Sequence, residues 1–188
     1  MVTKTRPTIR EHTPTTTNGP VGGRVLAVTR VLLGFVFLWA FLDKAFGLGY
    51  ATPGGKGWFD GGAPTRGFLS GLDHGPFADA LRGIAGNPVA DALFMLGLLG
   101  VGLALVLGIG LRIAAVSGTL MMALMWVAEW PLARHTDVGE LTRSSNPLVD
   151  YHVVYAAALV VLAVLAAGDT WGLGRRWARL VGRNRWLR

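Results

Sequence analysis

The chain has 188 residues, a length that fits one domain; 52% of them are hydrophobic, only 15% are charged, and the mean hydropathy is +0.45. Soluble domains carry about a quarter charged residues, and a soluble core of this size could not bury such continuous apolar runs, so the bilayer is the expected solvent. The net charge of +7 does not point to nucleic acid: the basic residues crowd from Arg175 to Arg188, directly after an apolar segment, where they serve topology and contact with anionic lipid.

Residues 1–22 are rich in Thr and Pro and lack hydrophobic periodicity, which predicts a disordered tail and not a cleaved secretory signal. The following domain, residues 23–170, contains four apolar runs, over about 25–46, 89–111, 113–130 and 151–167. Each approaches or reaches the roughly 20 residues that a helix needs to cross the hydrocarbon. The runs are continuous and do not alternate, which excludes a barrel. The expected fold is therefore an all-α membrane protein, a four-transmembrane-helix bundle.

Between the first two runs, Trp58, Phe59, Phe68 and Leu69 sit among glycines, as interfacial anchors do. The spacing of Phe77, Leu81 and Ile84 predicts a short amphipathic helix at the interface. After the fourth run, residues 171–188 interleave Trp171, Trp177, Leu180, Val181 and Trp186 with arginines, which predicts a basic amphipathic helix against the headgroups. The glycines and small residues within the runs (Gly97, Gly100, Ser117, Gly118) are expected to permit close helix packing. Arg30 lies inside the first run and is expected to snorkel to the interface.

Orientation follows from the loops. The tight turn at Arg112, the basic N-terminal residues and the C-terminal arginines share one side, which marks it as cytoplasmic. Both termini are expected inside the cell, and the loops over 47–87 and 131–149 outside.

The second and fourth runs open alike, at Asn87-Pro88-Val89-Ala90-Asp91 and Asn146-Pro147-Leu148-Val149-Asp150. The runs before them end near an acid, Asp43 and Glu129. This reads as two similar helical hairpins, and such repeats often place a site at their interface. Capping alone accounts for Asp91 and Asp150: Asn at the N-cap, Pro at the first helical position and an acid in the first turn. Asp43 and Glu129 stand near helix C-termini, where the dipole disfavours negative charge. Either they rest at the interface, with Lys44 neutralising Asp43, or they join Lys44, Asp150 and His152 in a polar cluster beneath the outer loops. His152 is either a hydrogen-bonded structural histidine or a proton donor or acceptor beside a quinone or small anion. No metal site is expected, because the histidines are scattered and no helix presents a pair at i, i+4. No phosphate loop, nucleophile elbow or dinucleotide fingerprint is present. The absence of cysteine excludes disulfides and thiolate or iron–sulfur ligation on this chain.

Several segments together resemble the DoxX/DoxD family of small four-helix membrane proteins. They are Arg30-Val-Leu-Leu-Gly34 through Asp43-Lys44; Gly57-Trp58-Phe59 with Gly62-Ala63-Pro64-Thr65-Arg66-Gly67-Phe68-Leu69; Asn146 through His152; and Thr170-Trp171-Gly172-Leu173-Gly174. The resemblance covers about residues 24–175. It implies a multi-pass protein of the cell membrane and, for the DoxD branch, a subunit of a thiosulfate:quinone oxidoreductase, with quinone as electron acceptor, no covalently bound cofactor and a partner redox subunit. Asp43, Lys44, Asp150 and His152 fall on its motifs; Glu129 joins them on the strength of dipole and depth. These acids and His152 are the candidate catalytic groups. Lys44, Arg66, Arg82 and Arg134 are the candidates to offset the charge of a small anion arriving from outside. The competing readings are a non-catalytic scaffold that recruits redox enzymes through the basic C-terminal helix, and a small-molecule transporter.

Overall fold

The computed structural model describes residues 19–187; of the tail expected over residues 1–22, residues 1–18 lie outside the described residues, whereas residues 20–22 are not disordered and already form the start of the first helix. Seven α-helices carry the described chain: α1 (Pro20–Phe46), α2 (Arg66–Leu69), α3 (Ala78–Gly83), α4 (Pro88–Leu107), α5 (Leu111–Glu129), α6 (Tyr151–Val164) and α7 (Gly174–Val181). No β-strand occurs among the described residues, only an isolated bridge between His135 and Leu141. Helices α1, α4 and α5 are each long and apolar enough to cross a membrane. Helix α6 is apolar but has 14 residues, about 21 Å at 1.5 Å per residue.

Local chemistry sets the boundaries. Helix α1 begins at Pro20, earlier than its apolar run, because proline suits the first helical turn. It ends at Gly47, which takes the left-handed conformation (φ 62°) and donates its N–H to the Asp43 carbonyl. Gly108 stops α4 in the same way (φ 70°), so the second run ends as helix at Leu107, short of Leu111, and α5 starts at Leu111. The fourth run ends as helix at Val164; Ala166 turns left-handed (φ 49°) and a 3-10 turn follows over Ala167–Asp169. The C-terminal segment is not one helix: α7 stops before Gly182 (φ 56°) and a 3-10 turn over Arg185–Leu187 follows.

Helix α1 packs along α4, α5 along α6, and α4 along α5. The α1–α4 contact is close at two glycines: a Cβ at Gly34 would lie 2.9 Å from the Val106 nitrogen, and one at Gly102 would lie 2.8 Å from the Leu38 nitrogen. At these points backbone meets backbone. Of the small residues expected to allow packing, Gly118 does so against Leu159, whereas nothing lies near Gly100 and Ser117 is exposed. Leu33, Phe37, Met95, Leu98, Val101, Leu105, Leu159 and Leu162 form the shared core. The outward faces are apolar too, with Leu32, Phe35, Leu93, Leu96, Leu120, Leu124 and Val164 all exposed. An apolar exterior of that extent suits lipid and not water.

The segment over 47–87 folds back over the α5 end instead of lying apart. Leu69, Leu72 and Ala78 are buried with Ala128 of α5, and Phe68, Leu81 and Ala85 pack against them. Thus Leu81 faces protein, while its expected partners Phe77 and Ile84 stay exposed.

At the opposite end Arg30 does not snorkel. It is fully buried, donating to the carbonyls of Leu105, Val106 (2.9 Å) and Trp171 (3.0 Å). The Leu107 carbonyl accepts the Leu173 N–H at 2.8 Å. The last carbonyls of α4, which no helix of its own can satisfy, thereby tie α1 to the chain after α6. Arg30→Leu would take the arginine donors from the Val106 and Trp171 carbonyls, at about 1–3 kcal/mol each, while Leu105 keeps the Gly108 N–H. A lowered thermal midpoint in detergent is expected, recovered only in part by Arg30→Lys, whose compact ammonium cannot span all of them; an unchanged midpoint for Arg30→Leu would contradict this role.

Candidate functional site

The two Asn-Pro segments, alike in sequence, differ in use. Asn87 caps α4, accepting the N–H groups of Val89 (2.9 Å) and Ala90 (3.3 Å). Asp91 does not cap. It is buried, and its Oδ1 accepts the Thr65 N–H at 2.8 Å and the Thr65 hydroxyl at 2.6 Å, while Thr65 Oγ1 accepts the Gly86 N–H at 3.0 Å. In the second copy Asn146 only closes a turn, accepting from Leu148 and Val149. Helix α6 starts at Tyr151, and its cap is Asp150.

That shift builds a site. Asp150 Oδ1 accepts the N–H of His152 (3.0 Å) and of Val153 (3.2 Å), and Oδ2 faces His152 Nδ1 at 2.8 Å. Glu129, the last residue of α5, brings Oε2 to 4.0 Å from the same Nδ1, and its Oε1 accepts the Tyr151 hydroxyl at 2.9 Å. The Tyr151 ring lies 4.0 Å from the His152 ring, centroid to centroid. His152 is 1% exposed, so the imidazole is cut off from water while the two carboxylates reach the surface. Burial disfavours the Asp150 charge, but the His152 ring and the amides of His152 and Val153 outweigh it and hold the carboxyl below its ordinary range.

With Nδ1 donating to Asp150, the neutral ring keeps its lone pair on Nε2. No protein group meets that atom among the described residues. His152 lines a pocket of about 350 Å³ between α5 and α6, together with Thr119, Met122, Trp126, Leu148 and Ala156. Glu129, Asp150 and His152 are also the described residues that could hold a cation, their ligand atoms lying within 4.8 Å of one another. A metal there would have to displace the Nδ1 proton that Asp150 accepts.

The other expected members lie apart. Asp43 is buried at the α1 end, accepting the N–H groups of Tyr50 (3.2 Å) and Ala51 (3.1 Å); it shapes the turn after α1, and no ion pair joins it to Lys44 among the described residues. Lys44 and Arg66 line a second pocket of about 670 Å³, with Lys56, Asp60 and the backbone of Gly61 and Gly62. Three cations and one acid give that pocket a positive balance suited to an anion. Arg82 is engaged with Asp79 and the Leu72 carbonyl, and Arg134 is exposed; neither lines it.

Sequence reasoning passed over four participants. Tyr151 supports Glu129. His74 bridges Asp73 (2.6 Å) and the Glu129 carbonyl (2.8 Å), holding the first loop to the α5 end. Thr119 and Trp126, seven residues apart, share the pocket with His152; their helical spacing was the available signal. No protein-family model, curated protein or solved structure matches the chain.

The lowered Asp150 carboxyl gives a signed pH dependence. Its charge stabilises the folded chain fully above about pH 4, the ordinary aspartate value, and that contribution disappears as pH falls through the depressed folded value. Asp150→Asn keeps an N-cap acceptor but removes the charge. Acid titration of the thermal midpoint is expected to fall less steeply for Asp150→Asn than for the native chain below pH 4; superimposable profiles would contradict the coupling.

Proposed function

We propose that the chain is a four-helix transmembrane bundle of α1, α4, α5 and α6 in the cell membrane, acting as the membrane subunit of a quinone-linked oxidoreductase of the thiosulfate:quinone type. The observation that carries this reading is the buried His152 ring, held at Nδ1 by Asp150 with Glu129 behind it, its Nε2 without a hydrogen-bond partner among the described residues, in a residue that lines the α5–α6 pocket. Quinone reduction needs a proton delivered to an oxygen away from water. Protonated at both nitrogens, with Asp150 and Glu129 offsetting its charge, the His152 ring gives its Nε2 proton to the quinone oxygen. It returns to the resting Nδ1–H form with a bare Nε2, and takes up a new proton at Nε2 before the next transfer.

The balance closes with a small sulfur anion as reductant. Two thiosulfates lose one electron each and join through a new S–S bond as tetrathionate; the quinone takes up the two electrons and two protons to become quinol. The Lys44–Lys56–Arg66 pocket supplies counter-charge for the anion. A partner redox subunit carries the electrons between the two places. The exposed arginines Arg24, Arg112, Arg175, Arg176 and Arg179 at the Arg30 end support a cytoplasmic position for that end, with the two pockets in the outer half.

Thiosulfate-dependent reduction of a decyl-quinone by vesicles holding the native chain, with and without candidate partner subunits, tests this. His152→Gln is expected to lower the rate about 100-fold, the usual worth of a positioned proton donor, and to lower the thermal midpoint only by the loss of its contact with Asp150. No reduction in any combination would overturn the reading.

One feature favours the scaffold alternative: α7 exposes Arg175, Arg176, Arg179 and Leu180 together. Under that reading, reversing the three arginines to glutamate abolishes co-purification of a soluble redox enzyme while leaving His152→Gln without effect; the opposite pattern belongs to the oxidoreductase.

A further inference from the structure

Hydrogen bonding does not explain why Glu129 approaches His152. The neutral ring has one proton to give from Nδ1, and Asp150 Oδ2 takes it at 2.8 Å. Glu129 Oε2 nevertheless converges on the same nitrogen, 4.0 Å away and beyond hydrogen-bond reach. No lysine or arginine forms an ion pair with either carboxylate among the described residues. While the ring is neutral, two acids therefore meet one buried imidazole with nothing to balance them. They do so at the C-terminal end of α5, where the helix dipole adds to the negative potential.

Each carboxylate has one oxygen engaged and one left over. Asp150 Oδ1 accepts the amides of His152 and Val153, and Glu129 Oε1 accepts the Tyr151 hydroxyl. Those contacts orient the side chains as outer-shell partners orient metal ligands. That leaves Oδ2, Oε2 and Nδ1, and one ligand atom from each residue lies within 4.8 Å of the others. A tetrahedral ion with bonds of about 2.1 Å holds its ligands roughly 3.4 Å apart, so closure asks for movements on the order of an ångström. Glu129, whose side chain is 35% exposed, can make them and gives the ion its way in.

The donor set decides the ion. Calcium and magnesium seek shells of oxygen alone. An imidazole nitrogen with two carboxylates suits zinc and leaves a fourth position for water.

We infer that Glu129, Asp150 and His152 form a binding site for a zinc-type divalent ion, which takes the place of the Nδ1 proton. The neutral ring then carries its single proton on Nε2, where no protein group meets it among the described residues. That gap in the outer shell keeps the ion exchangeable. A ring bound at Nδ1 can no longer reach the doubly protonated form that hands a proton to quinone, so zinc inhibits. The inhibition, unlike the site, rests on the proton role proposed for His152.

Calorimetric titration of ZnCl2 into the tag-free full chain in detergent tests the site, with nitrogen NMR of labelled histidine alongside. One saturable site in the micromolar range is expected, undiminished by excess CaCl2, with the His152 ring proton moving from Nδ1 to Nε2. Glu129→Gln keeps the acceptor for Tyr151, and Asp150→Asn keeps the cap; each is expected to weaken zinc about 100-fold or more, and Tyr151→Phe about tenfold. Asp73→Asn is expected to leave the affinity unchanged, although Asp73 and His74 form the other close carboxylate–imidazole pair, at 2.6 Å. No saturable binding, binding indifferent to Glu129→Gln, or binding lost with Asp73→Asn would overturn the site. In vesicles, ZnCl2 is expected to slow decyl-quinone reduction and EDTA to restore it. Zinc bound as described by a chain that reduces no quinone keeps the site and removes the oxidoreductase reading. Reduction untouched by saturating zinc keeps the site and removes the inhibition.

Discussion

An apolar medium gives a buried polar group no partner, so the protein must provide one. Each buried charged or ionisable group in this chain meets that demand by gripping a different piece of backbone. Arg30 grips the end of α4 and the segment after α6. Asp43 grips the turn at Tyr50 and Ala51, and Asp91 grips Thr65. His152, through Asp150 and Glu129, joins the start of α6 to the end of α5. The helices pack through leucines and glycines, but their ends are registered by these grips. Only at His152 and its neighbours Thr119 and Trp126 does the provision stop short around a pocket.

The two carboxylates that hold loop backbone, Asp43 and Asp91, and the two that face His152, Asp150 and Glu129, do different work. Asp43 and Asp91 are buried acceptors that hold loop backbone, at Tyr50 and Ala51 and at Thr65. Asp150 gives one oxygen to the α6 cap and the other to the imidazole, so that one side chain both caps the helix and holds the His152 ring. The cationic pocket beside α1 and the histidine pocket between α5 and α6 have no lining residue in common. In the proposed enzyme, anion chemistry and proton chemistry are accordingly kept at separate places.

Much of the architecture was legible in the residues. The apolar runs marked the long helices, and Gly108 and Gly47 stood where they end. Asn87 was correctly read as a cap, because capping depends on neighbours in sequence. The same reasoning misassigned Asn146, since the choice between Asn146 and Asp150 turns on where the chain meets Glu129 of another helix. Arg30 was read as snorkelling because its acceptors are main-chain carbonyls 75 and more residues away, which no residue type announces. Grouping Asp43 with His152 failed for a related reason: both lie near helix ends, but nearness along the helix axis says nothing about which neighbour a side chain faces.

The central claim is that His152 carries its proton on Nδ1 toward Asp150 and presents a bare Nε2 to the α5–α6 pocket. Nitrogen NMR of the full chain labelled at histidine, with His152→Gln identifying the resonance, reports this atom directly. The account predicts an Nδ1–H ring in the free protein and an Nε2 signal that moves toward the hydrogen-bonded range when decyl-hydroquinone is added. A ring protonated at Nε2, or an Nε2 signal that the hydroquinone leaves unmoved, would contradict it.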